Sequence, residues 1–237
     1  MKRERISLKS LPKKMQVLSI FNYTLSGIFC LASIALLIYY LIIGDPNNRF
    51  ISCLLTSVLF ILPVLAEFIF KFRLVSGVYF IYLIFVILSA FLGSCMDVFA
   101  NVDFYDKMLH FFWGYLACQA GLYFLCITKE IDRMKAVMIV VVIFALSMAS
   151  ASIWELIEFA GDSIFGQTAQ GEAINGIVSV KDTMLDIVVH LLGTILFTVQ
   201  YSIDRFAGVN LGLNKIIDNF KYQSQLIGKA KNITNIE

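Results

Sequence analysis

A chain of 237 residues that is 59% hydrophobic and 15% charged, with a net charge of +2 and a mean hydropathy of +0.81, is too apolar for a soluble core and belongs in a bilayer. No basic stripe or nucleic-acid motif is present, which excludes nucleic acid as a partner. The five cysteines (Cys30, Cys53, Cys95, Cys118, Cys126) show no CxxC spacing, so they read as small buried hydrophobes. The sequence leaves open a pairing of Cys53 with Cys95.

Residues 1–18 form a basic N-terminal segment, with Lys2, Arg3, Arg5, Lys9, Lys13 and Lys14 set against Glu4. The apolar run Ser19–Ile43 is too long for a signal-peptide core and reads as an uncleaved first span. Tyr39 and Tyr40 should mark its far interface. Phe50–Phe70 is the second span, kinked at Pro63, with Glu67 expected either to pair with Lys71 or to be wetted. Val75–Leu92 is the third and completes the first membrane block, residues 19–95. Leu109–Ile127, Val137–Phe159 and Thr183–Tyr201 form the second block within residues 96–202, the last two separated by the loop GDSIFGQTAQGEAINGIVSVK. Residues 203–237 are a tail, whose Ile216, Ile217, Phe220 and Ile227 suggest an amphipathic piece lying on the membrane. The expected fold is all-α: a polytopic bundle of about six transmembrane helices.

Of the nineteen Lys and Arg residues, all but Arg49, Lys107 and Lys181 fall on the side of the termini. The positive-inside rule therefore predicts cytoplasmic N- and C-termini in a bacterial plasma membrane. The acids and both histidines gather at the opposite, external edge.

The last three spans share a design that the first three lack. In the fourth, Asp106, His110, Gly114, Cys118 and Gly121 fall on one face, with Ala117 beside it. In the fifth, Ala145, Ala149, Ser152, Glu155, Glu158 and Asp162 are read as one stripe. In the sixth, Asp182, Asp186, His190, Gly193 and Thr194 align. Small residues let membrane helices approach closely. The pattern predicts three helices packed through their inner halves, with ionisable groups facing one another at their outer ends. His190 lies about 12 Å along its helix from Asp182 at 1.5 Å per residue, so it is expected inside the leaflet. Groups at that depth need partners or a wet pocket.

Mixed carboxylate and imidazole sets on several helices are how bundles hold transition metals. The candidate metal ligands are Asp106, His110, Glu158, Asp162, Asp182, Asp186 and His190, with Zn, Mn or Fe as the ion. Glu155 and Glu158 are the candidate general bases; Lys107 reads most simply as an interfacial snorkeler, with a pairing of Lys107 and Lys181 to two of the acids as the alternative. The functional expectation is a metal-dependent enzyme acting on a lipid or cell-envelope substrate. A proton- or cation-coupled transporter, or a non-catalytic binding protein for envelope precursors, is the alternative.

The fragments YDKMLHFFWGY (from Tyr105), SIWELIEF (from Ser152), FGQTAQG (from Phe165) and KDTMLDIVVHLLG (from Lys181) resemble the YjdF-like family of uncharacterised bacterial inner-membrane proteins. The resemblance covers the second half of the chain and implies an inner-membrane location without an activity. A looser likeness to the VanZ-like membrane proteins rests on the aspartate–Lys–x–x–His segment at Asp106, a later acid and a final aspartate before a glycine. It implies a role with glycopeptide antibiotics at the outer membrane face.

Overall fold

Along the first helix, α1 (Lys13–Ile43), the side chains turned inward are Ser19, Asn22, Ser26, Cys30, Ser33 and Tyr40, while Leu31 and Ile42 are 69% and 79% exposed. This inverted pattern suits a helix whose outer surface meets lipid and whose inner surface meets other helices. The computed structural model describes residues 8, 11–45, 49–69, 73–102, 104–165, 170 and 180–222. Among these, six helices are long and apolar enough to cross a membrane, and no strand is present. The chain divides into two units, Met1–Tyr105 with Tyr222–Glu237, and Asp106–Lys221.

The first unit packs α1 against α2 (Arg49–Ile69), α3 (Ser76–Val86) and the π-helix Ile87–Cys95 that prolongs α3, followed by a one-turn helix α4 (Val98–Asn101). Neutral hydrogen bonds hold the helices together. Ser19 and Ser76 share a bond of 2.7 Å, Asn22 donates to the Ser76 carbonyl at 2.7 Å, and Ser26 donates to the Phe60 carbonyl at 2.6 Å. Each such bond contributes about 0.6 kcal/mol, up to roughly 2, inside a bilayer. Gly44 ends α1 in the left-handed conformation at φ 65°, its N–H returning to the Tyr40 carbonyl. Asp45 and Arg49 pair at 2.6 Å, and the guanidinium lies 4.6 Å over the Tyr40 ring.

The structure bears on four sequence expectations here. Tyr40, near the end of α1, is buried against protein and donates to the Cys95 carbonyl at 2.9 Å, whereas Tyr39 is exposed. Glu67 is fully buried rather than wetted, because Tyr23 and the Leu74 N–H satisfy its two oxygens; Lys71 lies outside the described residues. Cys53 and Cys95 are free thiols, and Cys95 donates instead to Thr56 Oγ1 at 3.2 Å. Pro63 sits inside α2, one turn before Glu67 on the buried side of that helix.

The second unit contains α5 (Tyr105–Ile127), a 3₁₀ turn (Glu130–Asp132), α6 (Ala136–Phe165), α7 (Val180–Phe206) and a helical stretch over 213–222. Two glycines set the α5–α7 crossing. A Cβ on Gly114 would enter the His190 carbonyl and come within 3.1 Å of Thr194 N; one on Gly193 would enter the Phe111 carbonyl and come within 3.1 Å of Tyr115 N. The two backbones therefore touch, which no larger residue permits. Gly121 lets α6 approach, with Ile143 Cα 3.6 Å from its Cβ position. At the other end Leu213, Ile217 and Phe220 are buried, Phe220 stacks edge-on to Tyr123 at 5.1 Å, and Lys221 pairs with Asp132. The apolar face of this tail segment thus covers protein rather than lying on the membrane. Ile227 falls outside the described residues.

Candidate functional site

Helices α5 and α7 both start at the end of the unit that α6 reaches with Glu155. Asp106 and Asp182 occupy the first turns of α5 and α7, where unpaired backbone N–H groups and the helix dipole favour negative charge. One turn farther along each helix, His110 and Asp186 are 5% and 1% exposed. Glu155, on α6, is 6% exposed.

These groups meet. Lys107 Nζ lies 2.6 Å from Asp182 Oδ1, 2.8 Å from Asp186 Oδ2 and 3.3 Å from Asp106 Oδ2. His110 Nε2 is 3.5 Å from Asp106 Oδ1 and 3.8 Å from Asp186 Oδ1, while its Nδ1 is 3.9 Å from Glu155 Oε1. One donor atom each from Asp106, His110 and Asp186 lies within 4.8 Å of the others, close enough to share one ion. Four carboxylates therefore surround one ammonium and one imidazole. One buried carboxylate is under-supplied with donors: neither oxygen of Glu155 receives a hydrogen bond. Asp186, by contrast, is supplied by Lys107, whose Nζ lies 2.7 Å from its Oδ1 as well as 2.8 Å from its Oδ2.

Below this charged layer lies a neutral one. His190, 0% exposed, places Nε2 at 3.0 Å from both the Ser147 carbonyl and the Ser147 hydroxyl. A carbonyl only accepts, so Nε2 carries the proton and Nδ1 is a bare acceptor. Nδ1 has no partner. Ser147 also bonds Thr194 at 2.8 Å and the Gly114 carbonyl at 3.0 Å, tying α5, α6 and α7 at one level.

The expected residues thus divide. Asp106, His110 and Asp186 share one centre, Asp182 joins it through Lys107, and Glu155 borders it. Glu158 is half-buried and makes no ion pair among the described residues. Asp162, near the end of α6, accepts the Gln170 N–H at 2.9 Å. His190 serves the neutral layer. Lys107 is part of the cluster rather than a snorkeler, because three carboxylates within one helical turn outweigh the pull of the interface. On α6 the buried row is Ile139, Ile143, Ser147, Ala151 and Glu155, whereas Ala145, Ala149 and Ser152 are exposed. Sequence reading followed small residues there and missed Ser147, which the four-residue row backward from Glu155 would have found. Helix α6 also continues through Phe165, so Gly161 and Asp162 are helical and not in a loop; Gly166, Gly171 and Gly176 lie outside the described residues.

The family described as predicted membrane protein (DUF2238) matches residues 25–205, from the fourth turn of α1 to the end of α7. The chain belongs to this family. The DUF2238 match takes in every residue of the charged and neutral layers. No curated protein and no solved structure matches the chain.

Proposed function

We propose that the charged layer binds a divalent transition metal (Zn, Mn or Fe) and that the protein is a metal-dependent membrane enzyme acting on a lipid or cell-envelope substrate. The observation that carries the reading is the Asp106–His110–Asp186 trio, whose donor atoms lie within 4.8 Å of one another. Two carboxylates and an imidazole form a donor set for a borderline cation. The unmatched acceptors on Glu155 fit it, since a buried carboxylate without a donor is costly unless a cation or proton joins it. A bound ion would supply charge neutralisation and Lewis acidity. Lys107 would hold an anionic substrate group beside it, and Glu155 would accept the proton of an attacking water, with Glu158 as the second candidate base. The charge distribution supports cytoplasmic termini and an outward-facing cluster in a bacterial plasma membrane. The sequence resemblance to YjdF-like proteins supports the same location.

The test is the metal content of the detergent-purified protein beside His110→Ala and Asp186→Ala. Stoichiometric metal in the wild type, falling at least tenfold in both variants, is expected. No metal after reconstitution overturns the reading.

A second reading has its own observation. Lys107 already bridges three carboxylates, so the layer is a lysine-centred network able to relay protons or cations without a resident ion. Cation flux in proteoliposomes, abolished by Lys107→Met in metal-free protein, would favour it.

A further inference from the structure

Three buried acceptor atoms of the second unit share one shortage. His190 Nδ1 and both oxygens of Glu155 receive no hydrogen bond, although the two residues are 0% and 6% exposed. None of the three relieves another. A carboxylate only accepts, and the proton of the His190 ring sits on Nε2, committed to the Ser147 carbonyl at 3.0 Å. A buried acceptor left without a donor is costly, a carboxylate most of all.

The fold turns these atoms toward one level. Helices α6 and α7 run in opposite directions: Ser147 meets His190 and Thr194, while Glu155, two turns farther along α6, stands beside His110, whose other nitrogen faces Asp186. Side chains on a helix lean toward its N-terminus. His190 therefore leans along α7 toward Asp186, and Glu155 leans back along α6 toward Ser147. Between them the buried row of α6 offers Ala151, 2% exposed, a single methyl group where a larger residue would fill the space. No direct bond joins His190 to Glu155, and the rise of about 12 Å from Ser147 to Glu155 leaves room for a small molecule in series. The occupant has to donate at least two hydrogens to acceptors. Water does so, and buried waters make about three hydrogen bonds to groups otherwise unsatisfied. A metal ion has its donor atoms elsewhere, on Asp106, His110 and Asp186.

We propose that the Ala151 level is a binding site for internal water, which donates to His190 Nδ1 on one side and to Glu155 on the other. Hydrogen bonds then join the charged layer to the neutral one, which the protein's own side chains do not achieve. A proton held at Glu155 gains a route one turn inward, to the hub where Ser147 ties α5, α6 and α7. The inference rests on neither reading of the charged layer, since it needs no metal ion and does not use Lys107.

The chain has two histidines, so the ring signals of His190 are those that persist in His110→Asn. In full-length, isotope-labelled protein in nanodiscs with a chelator present, nuclear magnetic resonance reads the magnetisation passed from water to each buried ring. Transfer to His190 is expected to exceed transfer to Phe197, also 0% exposed, at least fivefold. Ala151→Leu, which fills the level, should cut the His190 transfer at least threefold. A crystal structure of the wild type grown in lipid should show water density within about 3.2 Å of His190 Nδ1. Transfer to His190 no greater than to Phe197 overturns the proposal. So does a direct bond between Glu155 and His190, density that scatters as a metal ion, or transfer indifferent to Ala151→Leu. The two wild-type measurements decide the matter even where Ala151→Leu fails to fold. A wild type that binds no metal removes the metal reading and leaves the water transfer as expected, whereas bound metal beside a dry His190 does the reverse.

Discussion

Glu67 in the first unit and Glu155 in the second are the same residue type buried to nearly the same degree, 0% and 6% exposed. Glu67 receives the Tyr23 hydroxyl at 2.7 Å and the Leu74 N–H at 2.8 Å, one on each oxygen. Glu155 receives nothing on either. The contrast extends beyond this pair. Among the described residues, the buried atoms of the first unit that lack a hydrogen bond, Asn22 Oδ1 and the Tyr79 hydroxyl, belong to neutral groups, whereas those of the second include both Glu155 oxygens and His190 Nδ1. A carboxylate that the chain itself supplies with donors is a structural cross-brace. One left without them retains capacity for something that the chain does not contain.

The comparison can be broken at several points. Gly193→Leu should cost most, about 3 kcal/mol or more, because its side chain would enter the Phe111 carbonyl and push α5 and α7 apart. Thermal unfolding in detergent reads this as a fall of about 6–12 °C. A change under about 2 °C would mean that α5 and α7 do not touch there. Lys107→Met should cost about 3 kcal/mol in metal-free protein, since Asp182 and Asp186 lose their shared ammonium. If the cluster accepts a divalent ion, added Mn or Zn should restore stability to Lys107→Met more than to wild type. Metal that leaves the variant unchanged would class the second unit with the first. Ser147→Ala should cost about 1–2 kcal/mol by removing the hub that joins His190, Thr194 and Gly114. Ser26→Ala, which loses one bond to the Phe60 carbonyl, should cost about 0.6 kcal/mol. Equal losses for these two serines would erase the distinction between a hub and a single brace.

Much of this was legible in the sequence. Apolar length revealed the six spans, and the four-residue rows through Asp106, His110, Gly114 and through Asp186, His190 named the buried faces of α5 and α7, because each face combines ionisable and small residues. On α6 the same logic slipped, since alanines and serines stand on both the lipid side and the protein side and composition alone does not tell them apart. Lys107 was left with two readings for a related reason: a lysine at a membrane edge has a sufficient explanation in snorkelling until three carboxylates from two helices are brought around it. The bonds to Glu67 come from Tyr23, on α1, and from a backbone N–H, neither of which carries a pattern.

The π-helical stretch Ile87–Cys95 has a mechanical consequence. Its turns close from i to i+5, and Met96 continues the series by donating to the Phe91 carbonyl at 3.0 Å, so each turn stores one residue more than an α-helix needs. The third span therefore holds slack. Deleting Ala90 would let the segment tighten into α-helix and change the angle at which Cys95 leaves it. The Cys95 carbonyl would swing away from the Tyr40 hydroxyl that now reaches it at 2.9 Å. Chain length, rather than any side chain, aims that carbonyl.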